Sequence, residues 1–144
     1  MQVRDVIKTK TGRVITIEPE ATVLEAVARL VQNNIGSLPV VDGSGRLVGV
    51  FSERDVLRGF HNRGEGFGQL RMSEVMTTNP ETCSLDDNVN DVMGQMTARR
   101  IAKVPVMDHD KLVGIISVGD VIKYLYEQVH SENEHLLEYI HGGR

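Results

Sequence analysis

Cysteine, tryptophan and proline are scarce in this chain: one, none and four among 144 residues. A single cysteine, Cys83, excludes an internal disulfide and a cysteine-rich zinc site. Its expected role is that of a small buried apolar residue. Aromatic residues make up 4% of the chain, and no basic stripe interleaves with them, which speaks against nucleic acid as the main partner. No apolar run approaches the roughly 18 residues that a membrane span needs. The first residues, Met1 to Val6, lack the pattern of a secretory signal. The expectation is a cytoplasmic protein with no membrane and no nucleic acid among its partners.

What is present is ordinary for a globular protein: 40% hydrophobic residues, 25% charged residues and a net charge of −4. This length suits one compact domain or two small repeats sharing a core. The informative signal is internal. Gly49-Val50-Phe51-Ser52-Glu53-Arg54-Asp55 returns as Gly114-Ile115-Ile116-Ser117-Val118-Gly119-Asp120. A Leu-Val pair leads into each copy and an apolar pair follows each. Each copy reads as an apolar strand, a turn opened by serine, and a helix with aspartate in its first turn. Two such copies mark a duplicated unit.

The spacing of Val3, Val6 and Ile7 predicts a short leading helix. Val14 to Ile17 reads as a strand ended by Glu18-Pro19. Thr22 is a good N-cap, and Glu25 three residues later fits a capping box. Val23, Ala26, Val27, Leu30 and Val31 give that helix an apolar face. Asn33 to Gly36 is a helix stop. Ser37 to Val41 and Arg46 to Phe51 are strands joined by Asp42-Gly43-Ser44-Gly45. That turn lacks the Gly-Lys-Ser/Thr ending of a phosphate loop. Ser52 opens a helix expected to run to about His61. Gly59 to Gly68 is rich in glycine, shows no period and reads as a mobile connection.

The order then returns: Val75-Met76 for Val6-Ile7, Thr82 for Thr16, Asn88 for Thr22, Pro105 for Pro39, Asp108 for Asp42. A second capping signature, Ser131 to Glu134, opens a last segment with Leu136, Leu137, Tyr139 and Ile140 at helical spacing. The expected division is a first repeat over 1–62, a linker over 63–71, a second repeat over 72–129 and a helical tail over 130–144. His130, His135 and His141 are spaced by five and six, unlike ligand pairs on one helical face, so no metal site is expected. The methionines read as core filler.

Each half resembles a cystathionine-β-synthase-type (CBS) domain. The residues carrying the resemblance are Val14 to Pro19, Ile35 to Asp42 and Leu47 to Asp55. In the second half they are Thr82-Cys83, Ile101 to Asp108 and Leu112 to Asp120. The resemblance implies an α/β fold with mixed sheets, made of two β-α-β-β-α repeats about a pseudo-two-fold axis. It also implies a homodimer and a regulatory adenine-containing ligand such as AMP, ATP, NAD or S-adenosylmethionine. A downstream enzyme or transporter would read the signal. No catalytic cofactor and no enzymatic activity are implied.

The residue chemistry suits such a ligand. Asp55 and Asp120 can each accept hydrogen bonds from both ribose hydroxyls. Each lies at a helix N-terminus, whose N–H groups favour phosphate, and Ser52 and Ser117 add hydroxyls there. Ile15, Thr16 and Ile17 with Ser37, Leu38 and Pro39 are candidates for one adenine slot. Thr82 and Cys83 with Lys103, Val104 and Pro105 are candidates for the other. By the resemblance, Lys103 would reach phosphate in the Asp55 cleft, whereas the Asp120 cleft would have only Ser37 from the matching position. Arg54 is a further phosphate candidate, and Gly119 stands opposite it in the repeat. Plainer roles compete with these. Ser-x-x-Asp is also a helix cap, Lys103 a solvated lysine, and Arg54 a partner for Glu53, Glu25 or another surface acid. Two other functions compete with ligand sensing: an enzyme using Asp55 and Asp120 as acid and base, and an interaction module with vestigial clefts.

Overall fold

Alternating and helical patterns resolve into a mixed α/β fold of small sheets and helices. The computed structural model describes residues 1–10 and 12–142, the stretch 132–142 as backbone only. In chain order the elements are α1 (Val3–Ile7), α2 (Val23–Asn33), β1 (Ser37–Val41), β2 (Leu47–Ser52) and α3 (Glu53–Arg63). A 3₁₀ turn (Gly64–Gln69) and α4 (Met72–Val75) follow. The second repeat supplies β3 (Cys83–Ser84), α5 (Val89–Arg99), β4 (Lys103–Asp108), β5 (Lys111–Ser117) and α6 (Val118–Gly142). No helix among the described residues is long and apolar enough to cross a membrane.

Local chemistry sets most boundaries. The Thr22 hydroxyl accepts from the Glu25 N–H at 3.2 Å and starts α2. Asn34 ends it in the left-handed conformation (φ 52°), as Arg100 ends α5 (φ 55°). Asp42 Oδ1 accepts from the N–H groups of Ser44 and Arg46, which closes the β1–β2 turn, and Gly45 takes the positive φ (87°) that the turn requires.

β1 and β2 are antiparallel, with Leu38 opposite Phe51. β3, β4 and β5 form a sheet in that order. The strand expected over Val14 to Ile17 reduces to a single bridge. Ile17 donates to Pro39 O (3.0 Å) and accepts from Val41 N (2.9 Å). Pro19 has no N–H to extend the pairing.

Packing groups the chain differently from its repeats. One compact unit comprises Met1–Gly12, Cys83–Val106 and Gly114–Arg144; the other comprises Arg13–Thr82 and Met107–Val113. Val3 and Val6 of α1 are fully buried with Val89, Met96, Val104 and Ile116 of the second repeat. Met72 of α4 is fully buried with Ile17, Val23, Leu38 and Phe51 of the first. Each leading helix thus completes the core of the other repeat. Each fully buried side chain of this kind stabilises by about 1.5–3 kcal/mol relative to exposure.

This arrangement explains a glycine in the duplicated stretch. A Cβ on Gly49 would lie 2.6 Å from Met76 Sδ and 2.9 Å from the Thr77 carbonyl; one on Gly114 would lie 3.2 Å from Ile7 Cδ1. Met76 and Ile7 hold matching positions, so the bare backbone of β2 and β5 is where the end of each leading helix packs.

Two expectations need correction. The glycine-rich stretch is not a loose connection. α3 continues to Arg63, and the following 3₁₀ turn buries Phe67, whose ring meets Phe60 edge-on (5.2 Å) and Phe51 at a tilt (6.4 Å). Gly59 leaves the room that the Phe67 ring occupies. The second correction concerns Ser131 to Glu134. The helix does not restart there; α6 runs unbroken to Gly142. A capping sequence inside a helical run does not break it, because capping chemistry acts only where the preceding backbone has left helical geometry.

Candidate functional site

Ser52 leaves β2 in extended backbone (φ −123°, ψ 167°), and α3 begins at Glu53. The Asp55 N–H donates to Ser52 Oγ at 3.4 Å. Asp55 Oδ2 accepts from the Ser52 N–H at 2.8 Å and from its hydroxyl at 3.1 Å. In the second repeat the Asp120 N–H donates to Ser117 Oγ at 3.0 Å, and the Ser117 N–H to Asp120 Oδ2 at 2.9 Å. Both aspartates therefore cap their helices. In each pair Oδ1 accepts no hydrogen bond from a described residue.

The helix N-termini are less open than their sequence suggests. The Glu53 N–H donates to Gly36 O at 3.0 Å, and the Val118 N–H to Ala102 O at 3.0 Å. With the aspartate N–H groups given to serine, one N–H of the first three in each helix has no acceptor among the described residues, that of Arg54 and that of Gly119. The ties to Gly36 and Ala102 hold the segment before each proline against the helix mouth.

The slot residues divide by burial. Ile17, Leu38, Cys83 and Val104 are buried in the cores, as are Pro39 and Pro105. These six expose almost nothing, main chain included, for a ligand to meet. Burial pushes the Cys83 thiol up to about 12, with Asp87 adding to the effect, so it is no nucleophile. Ile15, Thr16 and Ser37 are half-buried and Thr82 is exposed. The Thr16 carbonyl accepts from Arg29 at 2.8 Å, which fastens this segment to α2.

Arg54 and Lys103 are exposed and make no ion pair among the described residues. The pairing of Arg54 with Glu53 or Glu25 is not formed. One cation was missed in the sequence. Lys10 Nζ lies 2.8 Å from Asp120 Oδ2 and donates to Ile115 O at 2.7 Å. Burial pushes the Asp120 carboxyl up, but hydrogen bonds from Lys10 and Ser117 and the charge of Lys10 outweigh it and hold the group below its ordinary value. No local motif contains Lys10, which sits in a stretch without helical or strand period. In the first repeat, Val50, the counterpart of Ile115, instead exchanges two backbone hydrogen bonds with Thr77 (3.0 and 2.9 Å). Among the described residues no group of three His, Cys, Asp or Glu could hold a metal ion.

The CBS domain family matches residues 3–62 and again residues 72–127. The chain belongs to that family. This CBS pair is 34% identical over 113 residues to the CBS domain-containing protein YhcV of Bacillus subtilis, covering 78% of this chain and 79% of that one. Among solved structures, the CBS-domain containing protein ATU1752 of Agrobacterium tumefaciens superposes with a TM-score of 0.79 at 34% identity, over 86% of this chain and 98% of that one. The CBS domain pair of protein MJ0100, solved in complex with 5′-methylthioadenosine and S-adenosyl-L-methionine, superposes at 0.75 with 28% identity, over 89% of this chain and 98% of that one.

Proposed function

We propose that this CBS pair is a regulatory module that binds an adenine-containing ligand of the AMP, ATP, NAD or S-adenosylmethionine kind. The observation that carries the reading is the MJ0100 pair, a CBS pair of similar fold solved with two adenosine compounds. The capped helix mouths supply the matching chemistry. Asp55 and Asp120 would take the ribose hydroxyls with both oxygens of the carboxylate, and the N–H groups of Arg54 and Gly119 would face phosphate. Arg54 and Lys103 would neutralise it. The half-buried Ile15, Thr16 and Ser37 would flank the adenine, backed by the buried Ile17, Leu38 and Pro39. Thr82, Cys83, Val104 and Pro105 would do the same in the second repeat.

The ligand acts on a partner only so far as it binds one arrangement of the protein better than another. The second reading, a protein-interaction module, draws on α6. Ile122, Leu125, Tyr126 and Val129 recur at helical spacing and are 58%, 43%, 69% and 57% exposed. An apolar face of this kind calls for a cover, and we assign it to a homodimer partner or a downstream enzyme or transporter. The two readings part at the clefts, which the second leaves vestigial.

A thermal unfolding panel with AMP, ADP, ATP, NAD, NADH and S-adenosylmethionine tests ligand binding. At about 100 times its dissociation constant a ligand adds roughly 2.7 kcal/mol, a shift of about 5–10 °C for a chain of this size. A shift with one compound, lost in Asp55→Ala or Asp120→Ala, supports the proposal. A flat panel leaves the interaction module.

A further inference from the structure

Lys10 stands where the repeat asks for no cation. It follows α1 in a connection, residues 8–15, that is longer than residues 77–81 after α4. Its ammonium holds two acceptors at once, a carboxylate of α6 and a carbonyl of β5. Two charge-assisted hydrogen bonds fix a long side chain more firmly than one.

The lone pairs show what this does to the second helix mouth. A carboxylate oxygen has about two acceptor positions. On Asp120 Oδ2 these are filled by the Ser117 N–H and by Lys10. On Asp55 Oδ2 they are filled by the Ser52 N–H and by the Ser52 hydroxyl. A hydroxyl turns away about its C–O bond and frees its acceptor. An ammonium anchored on a second oxygen does not. A ribose offering both hydroxyls to one carboxylate therefore finds Asp55 ready and Asp120 half taken.

We propose that Lys10 is a built-in competitor at the second-repeat site, so that the first adenosine-type ligand binds at Asp55 and a ligand at Asp120 must contend with this lysine for the inner carboxylate oxygen. The proposal rests on the adenosine-binding function above and deepens it. Lys10 and Asp120 side chains are 37% and 25% exposed, so the pair is reachable, and its effect on affinity is on the order of fivefold to tenfold rather than a complete block.

Calorimetric titration with AMP, and separately with S-adenosylmethionine, tests this on the full chain. The wild type is expected to show one stronger site, lost in Asp55→Ala. Lys10→Met is expected to tighten the weaker site about fivefold to tenfold, and the gain should vanish when Asp120→Ala is added. Lys10→Arg, which keeps a cation on both acceptors, should titrate like the wild type. An unchanged isotherm in Lys10→Met overturns the proposal, as does a wild type with two equal sites. Weaker binding in Lys10→Met also overturns it, since Lys10 would then be a ligand contact. If neither compound binds any of these proteins, the functional reading itself falls and takes this inference with it.

Discussion

At the mouth of α3, a serine hydroxyl completes the set of donors around the inner oxygen of Asp55; at the mouth of α6, a lysine does so for Asp120. The backbone geometry beneath is the same in both: serine and aspartate cap each other, and the first helical N–H is tied to the residue before the strand. The cap is thus a property of the repeat, whereas the face offered to a ligand is a property of each copy. A duplicated Ser-x-x-Asp establishes two helix starts and does not by itself establish two equal sites.

The largest expected contrast between the halves lies at the paired glycines. Gly49→Ala meets a backbone carbonyl that cannot yield, and should cost about 2–3 kcal/mol. Gly114→Ala meets only the flexible end of Ile7 and should cost under about 1 kcal/mol. Denaturant unfolding of both variants checks this; equal losses would mean that the two leading segments pack alike. The caps should show no such contrast. Ser52→Ala and Ser117→Ala are each expected to cost about 1 kcal/mol, and a clear inequality in unfolding midpoint would break the symmetry of the caps.

The smallest effect is the most diagnostic. The Asp120 carboxyl titrates below its ordinary value of 3.8. Its stabilising contribution is therefore complete above that value and is lost as pH falls through the lower folded-state value. Lys10→Met should be less stable than the wild type by under about 1 kcal/mol at neutral pH. The gap should close as pH drops below about 4. A gap that persists at low pH would place the role of Lys10 in its bond to Ile115 rather than in the charge pair.

Much of this was legible in advance. The helices, the hairpin turns, the helix stop at Asn34 and the serine caps follow from nearest-neighbour chemistry, which the sequence displays directly. So did the doubling of the motif, and with it the family. Three features were not legible, for one reason. The exchange of α1 and α4 between cores, the burial of Phe67 beside Gly59, and the reach of Lys10 to Asp120 all join residues that no local pattern connects. Phe67 in a glycine-rich stretch carries no period to mark it as core. Its burial depends on a ring-sized gap that Gly59 leaves in α3. Lys10 is separated from its partner by more than a hundred residues, and its contact depends on where β5 ends.

The exchanged leading helices also impose a timetable on synthesis. A nascent chain emerges N-terminus first. The Arg13–Thr82 segment carries nearly all of its own core and can close once Met72 has left the ribosome, whereas Val3 and Val6 must wait for Ile116 and Val121. Until those residues emerge, the apolar face of α1 has no core to enter, so this helix is made well before the place it fills.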